Sequence, residues 1–207
     1  MLTTYRLAAY ETPLWATENF APGRYNDAGD GATQYLSLHP MTPWAELMRN
    51  QNRRTAFTAL QLRLPLWSIK VELADPPTEI AFEDAPTYGL SADDLVSDDQ
   101  SACRSLARQF RGDQHGPRAL FVPSAALPGT QNLVLLDPYV AISFLADPVA
   151  AEDLPTCMAA EDARCPDGLC DLVHHHHSPR MHAGLEAWYD NDSFEFIEPP
   201  VALGAVT

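Results

Sequence analysis

Four side chains in the first quarter of the chain have types and spacing that suit the grip of a dinucleotide: Arg6, Arg24, Tyr35 and Glu46. Arg24 and Tyr35 stand eleven residues apart, and so do Tyr35 and Glu46. An arginine fork matches pyrophosphate oxygens, an aromatic ring can lie under a base, and a carboxylate can hold a ribose. Each residue also has an ordinary reading. Arg24 in a turn is solvated, and Tyr35 in a strand is core with its hydroxyl at the rim. Glu46 has Arg49 and Asn50 three and four residues on. It could therefore be half of an exposed helix pair contributing roughly 0.2–0.5 kcal/mol.

The elements that would carry these residues follow from pattern and punctuation. TTYRLAA at 3–9 reads as a first strand and TQYLSL at 33–38 as a second, with the Gly- and Pro-marked loop PGRYNDAGDG at 22–31 between them. Thr42-Pro43 predicts a helix with Thr as N-cap and Pro at its first position. It runs to about Arg54, with Trp44, Leu47 and Met48 on its apolar face. Leu60, Leu62, Leu64 and Leu66 alternate with polar residues over 58–66, which predicts a strand with one wet face. SIKVEL at 68–73 predicts another strand. Residues 74–97 read as acidic loop with a helical turn near 91–96. Asp98 or Asp99 caps a helix to about Arg111. Strands at 119–122 and 132–136 flank PSAALPGTQ, and YVAISFL at 139–145 reads as a last core strand. Strands in runs with few helices predict a mixed α+β domain, not an alternating parallel fold.

Charge narrows the partners. The 207 residues hold 13 Lys+Arg against 28 Asp+Glu, a net charge of −15. A chain this acidic is poorly suited to coat nucleic acid or an anionic membrane. The acidity is uneven: residues 1–66 balance at +1, 67–99 at −8, 100–146 at +2 and 147–207 at −10. An anionic ligand is expected between the two stretches that escape it. Lys70 is the sole lysine, so any anion binding falls to arginine. Eighteen Pro against ten Gly predict fixed loops and little long helix. The most apolar stretch, 133–151, is broken by Asp137, Pro138, Asp147 and Pro148, short of a membrane span. The N-terminus has no basic-then-apolar leader pattern, and a cytoplasmic protein is expected.

The run YRLAAYETPLW…PGRYNDAGDGATQYLSLHPMTPWAELMR, followed by LFVPSAALPGTQNLVLLDP, resembles the RES domain over about residues 5–138. That family is named for an Arg, a Glu and a Ser, which here match Arg24 in GRYN, Glu46 in the helix and Ser124 in VPSA. The resemblance implies an ADP-ribosyltransferase-like fold of mixed sheets with few helices, and consumption of NAD+ as a substrate, with no cofactor. It also implies a toxin whose antitoxin carries a helix-turn-helix domain. Carried over, it makes Arg6 and Arg24 phosphate ligands and sets Tyr35 at the nicotinamide riboside end. Glu46 becomes the acidic catalytic residue, acting with Arg24 and Tyr35. Ser124 becomes a polar contact in the pocket, with Asn132 beside it.

The chemistry is consistent with that assignment. Breaking the nicotinamide–ribose bond makes an oxocarbenium-like sugar, which one carboxylate can stabilise. Nicotinamide leaves neutral, so no general acid is needed. No G-x-G-x-x-G follows a strand, which argues against Rossmann-type binding for hydride transfer. The expected function is NAD+ cleavage by hydrolysis or phosphorolysis. Mono-ADP-ribosylation of a protein and a non-catalytic binding module stand as alternatives.

Residues 1–147 are expected to form the catalytic domain. Residues 148–207 read as an acidic extension packed on it or completing it, with a helix at about 180–189 and a strand at 193–197. The extension holds three of the four Cys and five of the seven His. Cys165, Cys170, His174 and His182 could hold zinc, but the Cys spacing is wide and no second Cys pair follows, so no metal is assigned. Ser124 lies outside a G-x-S-x-G elbow and is not read as a hydrolase nucleophile. Cys103 shares a helical face with Leu106 and is read as core.

Overall fold

The computed structural model describes residues 1–10, 12–15, 19, 21–52, 65–137 and 140–149. The extension elements at 180–189 and 193–197, the Cys/His cluster and most of the expected 58–66 strand lie outside the described residues. Seven strands are β1 (Leu2–Leu7), β2 (Gln34–Ser37), β3 (Leu66–Leu73), β4 (Thr78–Glu79), β5 (Ala119–Pro123), β6 (Gln131–Leu135) and β7 (Ala141–Pro148). Among the described residues they join in one mixed sheet in the order β4-β5-β6-β2-β1-β3-β7. All pairings are antiparallel except β4 with β5. Two helices are described, α1 (Thr42–Asn52) and α2 (Ser101–Gly112). The architecture is α+β.

Strand alternation sorts the core into two layers. On one face Leu120, Val122 and Val134 pack against Cys103, Leu106, Ala107 and Phe110 of α2, with Tyr25 and Leu95. On the other, Leu36, Leu133 and Leu135 pack with Trp67, Ile69, Val71 and Leu14. The face that carries α2 also carries Tyr35, Ser37 and Asn132, by the same alternation and by the register Ser37↔Asn132.

Several expectations are corrected. Leu66 does not end a strand before 68–73; it opens β3, which runs unbroken through buried Trp67. The acidic segment holds the predicted turn, a 3-10 turn at Asp93–Leu95. It also holds a second 3-10 turn at Ala85–Tyr88 and the short strand β4, neither of which shows a hydrophobic period. Thr42 is the first residue of α1, and its hydroxyl donates to Thr130 Oγ1 at 2.9 Å, so it ties the helix to the sheet. Gln100, not Asp98 or Asp99, is the N-cap of α2, and Asp99 Oδ1 accepts the Ser101 N–H at 2.9 Å from one residue upstream.

Candidate functional site

The site is built on α1. Thr42, Glu46 and Arg49 stand at i, i+4 and i+7, one face of the helix. Thr42 bolts that face to Thr130 in the turn between β5 and β6. One helical turn later, Glu46 Oε1 accepts the Ser124 hydroxyl at 2.7 Å and the Asn132 amide at 3.2 Å. Ser124 is fixed in turn: its Oγ accepts the N–H groups of Ala126 and Leu127, both at 3.1 Å, and its own N–H donates to Thr130 O. Asn132 Oδ1 accepts from Ser37 Oγ at 2.8 Å across the β2–β6 pair. Among the described residues, the Ser124 and Asn132 bonds both fall on Oε1. Arg49 is not the helix partner of Glu46; its Nη2 donates to Val96 O and Asp98 Oδ1.

The opposite wall is the loop 21–31. Gly23 N–H donates to Asn26 O, and buried Asn26 donates to Ala21 O, closing a tight turn. The Tyr35 hydroxyl is spent on this turn: it accepts Tyr25 N–H at 2.9 Å and donates to Asn26 Oδ1 at 2.7 Å. Burial pushes its pKa above the ordinary phenol value. Arg24 leaves the turn and donates to Asp94 O at 3.3 Å and Ser97 O at 2.8 Å.

Three arginines that the sequence reading passed over hold this loop in place. Arg104 Nε donates to Gly23 O, Arg108 pairs with Asp27 and Asp30, and Arg111 donates to Tyr25 O and Thr33 Oγ1. Their i, i+4, i+7 spacing on α2 was the available signal. Burial works against the Asp30 carboxylate, but the Asp27 N–H and Arg108 outweigh it and hold its pKa below the usual value. The two less acidic stretches of the chain do meet, as arginines on a loop.

Between α1 and the loop lies a cleft of about 460 Å³, lined by Arg24, Tyr35, Ser37, Glu46, Arg49 and Asn132 among others. That volume falls in the usual ligand-pocket range of roughly 300–1,000 Å³. Ser124 borders a neighbouring cavity of about 580 Å³ with Phe82, Val96 and Thr130; Arg49, Pro123 and Ala125 line both.

Arg6 is placed differently from the expectation. It borders the cleft, but its guanidinium donates to Pro13 O at 3.1 Å and to Gln34 Oε1, and lies 3.7 Å from the centre of the Trp15 ring. The physical reason is the pleat. Tyr5 pairs with Ser37 on the cleft face, so Arg6 turns to the other face with Gln34 and Leu36. Burial pulls its pKa down to about 9, and the Tyr10 and Tyr35 hydroxyls oppose the shift. The structure thus gathers Glu46, Ser124 and Asn132 in direct contact and sets Arg24 and Tyr35 across the cleft. Arg6 lines the same cleft, with its guanidinium held by Pro13 O and Gln34 Oε1. Cys103 is buried core, as read.

Among the described residues there is no group of His, Cys, Asp and Glu that could hold a metal ion, and no helix long and apolar enough to cross a membrane. A family model described as the RES domain matches residues 3–156. No curated protein matches the chain. Among solved structures, the chain is similar to one in the crystal structure of the M. tuberculosis MbcT–MbcA toxin–antitoxin complex. Identity is 24% over 65% of this chain and 73% of that one, with a TM-score of 0.52; the likeness is one of fold.

Proposed function

The chain belongs to the RES-domain family, and we propose that it is the toxin of a toxin–antitoxin pair, cleaving NAD+ at the nicotinamide–ribose bond. The observation that carries this reading is Glu46, held on one oxygen by Ser124 and Asn132 and facing a cleft with Arg24 on its far wall. A carboxylate fixed before the substrate arrives has no reorganisation left to do as positive charge develops on the sugar. Arg24 grips the pyrophosphate, and that binding energy holds the reacting ribose beside Glu46. The Tyr35 ring floors the nicotinamide riboside end, while its hydroxyl keeps the Arg24 loop in shape. Asn132 keeps the carboxylate in one rotamer. Water, phosphate or a protein side chain can take the ADP-ribose, since all three would use the same cleft.

A free enzyme of this kind would drain the NAD+ of its own cell and halt growth, so a protein partner carrying a helix-turn-helix domain should cover the cleft or place a chain end in it. The test is nicotinamide release by the purified protein. Release that is absent, or unchanged in Glu46→Gln, defeats the reading. Phosphate-stimulated release with ADP-ribose-1″-phosphate as product identifies phosphorolysis, and a labelled protein identifies transfer. If the purified complex with the partner cleaves as fast as the free protein, occlusion is wrong.

A further inference from the structure

The segment from Asp94 to Asp98 lies against two arginines that line the cleft, one from each wall. Arg24, from the 21–31 loop, donates to Asp94 O and Ser97 O. Arg49, from α1, donates to Val96 O at 2.8 Å and Asp98 Oδ1 at 2.9 Å. The segment is held in shape from both ends. Ser91 N–H and its hydroxyl donate to Asp94 Oδ2, the Cys103 thiol donates to Asp94 O, and Ser101 N–H donates to Asp99 Oδ1. Two guanidinium groups facing one cleft are therefore both engaged by a single five-residue strap that offers them carbonyl oxygens and one carboxylate.

We propose that Arg49 is a second anion-binding residue, acting with Arg24 on the substrate pyrophosphate, and that the strap 94–98 is its intramolecular placeholder. The proposal rests on the NAD+ reading for the identity of the ligand, and on geometry for the anion class. Carbonyl oxygens are weaker acceptors for a guanidinium than phosphate oxygens, which bind the fork in a charge-assisted, often bidentate way. The one charge the strap supplies is on Asp98, whose side chain is 71% exposed while that of Arg49 is 23% exposed. A pair so wet competes by a factor of about five or less. A pyrophosphate carries anionic oxygens on two linked groups and can meet both arginines at once. Arg49 and Val96 also line the neighbouring cavity.

The test titrates inorganic pyrophosphate into the purified full chain by calorimetry at fixed low salt. Asp98→Asn removes the competing charge and should tighten binding about two- to fivefold. Arg49→Gln should weaken it by about tenfold or more, and Arg49→Lys should recover part of the loss. Binding by Arg49→Gln within twofold of the parent overturns the proposal, as does unchanged or weaker binding by Asp98→Asn. Asp98 is exposed, so that variant keeps the test alive if Arg49→Gln fails to fold. Nicotinamide release is measured beside it. The expected affinity pattern without nicotinamide release retires the NAD+ reading and leaves the clamp standing. Release with affinities indifferent to both residues does the reverse.

Discussion

The Ser124 hydroxyl donates to Glu46 Oε1 at 2.7 Å while accepting the N–H groups of Ala126 and Leu127. Its one proton and its acceptor capacity are committed, so on the proposed reading Ser124 serves to position Glu46. A hydrogen bond to a charged group is worth about 1.5–3 kcal/mol, so Ser124→Ala should lower kcat roughly 10–100-fold with KM little changed. Glu46→Gln should cost roughly 10²–10³-fold. The check is a double-mutant cycle on nicotinamide release. In the Glu46→Gln background the serine change should cost almost nothing; full additivity would mean that Ser124 has its own contact with the substrate.

Gly23 is required by space. A Cβ there would lie 2.6 Å from both Tyr35 Oη and Asn26 Oδ1, inside the bond that closes the Arg24 loop. Neither atom can retreat without losing a partner in a packed setting. Gly23→Ala should therefore cost about 1–3 kcal/mol, as overpacking does. It should also raise KM, because Arg24 is the next residue. Thermal unfolding and NAD+ titration read the two effects, and a variant with parental Tm and KM refutes the close approach.

Much of α1 is legible from the sequence because its information is local. Thr42, Glu46 and Arg49 share a face by spacing alone, and the helix begins at Thr42, one residue before the start that Thr-Pro predicts. What spacing cannot give is the element opposite. Asn132 reaches Glu46 from 86 residues away, and Ser37 reaches Asn132 from 95, through the β2–β6 register. The same blindness misplaces Arg6, because one step along a pleated strand changes its face. The arginine stripe of α2 reads as an ordinary wet face until Asp27 and Asp30 are seen beneath it. The break expected at Trp67 fails because β3 is an interior strand, where an apolar pair continues the element.

Acid should loosen the loop clamp. Asp30 is held below its ordinary carboxyl pKa by the Asp27 N–H and Arg108, against the pull of burial. A depressed carboxyl pKa gives stability that is complete above the unfolded value, about 3.9, and lost as pH falls through the folded value. Asp30→Asn should therefore lower Tm at pH 7, and the gap to the parent should narrow as pH falls below about 4. Added salt should shrink the gap at pH 7, since Arg108 is half exposed. A gap that widens in acid would show that the pairing does not stabilise the fold.

Arg6 and Arg24 should separate by the kind of loss they cause. Arg24 donates to backbone oxygens of Asp94 and Ser97 and stands on the cleft wall. Arg24→Ala should raise KM for NAD+ by about tenfold or more and also slow the reaction, since pyrophosphate is bound before and during it. Arg24→Lys should restore part, because the ammonium lacks the fork. Arg6 instead joins the Pro13 carbonyl, Gln34 and the Trp15 ring on the other face of β1. Arg6→Met keeps the apolar stem but leaves buried Gln34 short of a donor and removes a cation–π contact. The cost should be about 1–3 kcal/mol, lowering Tm by several degrees, with KM within a few fold. Steady-state kinetics and thermal unfolding on both variants decide it. A large KM effect from Arg6→Met at parental Tm would return that arginine to the phosphates and overturn the placement argued from the pleat.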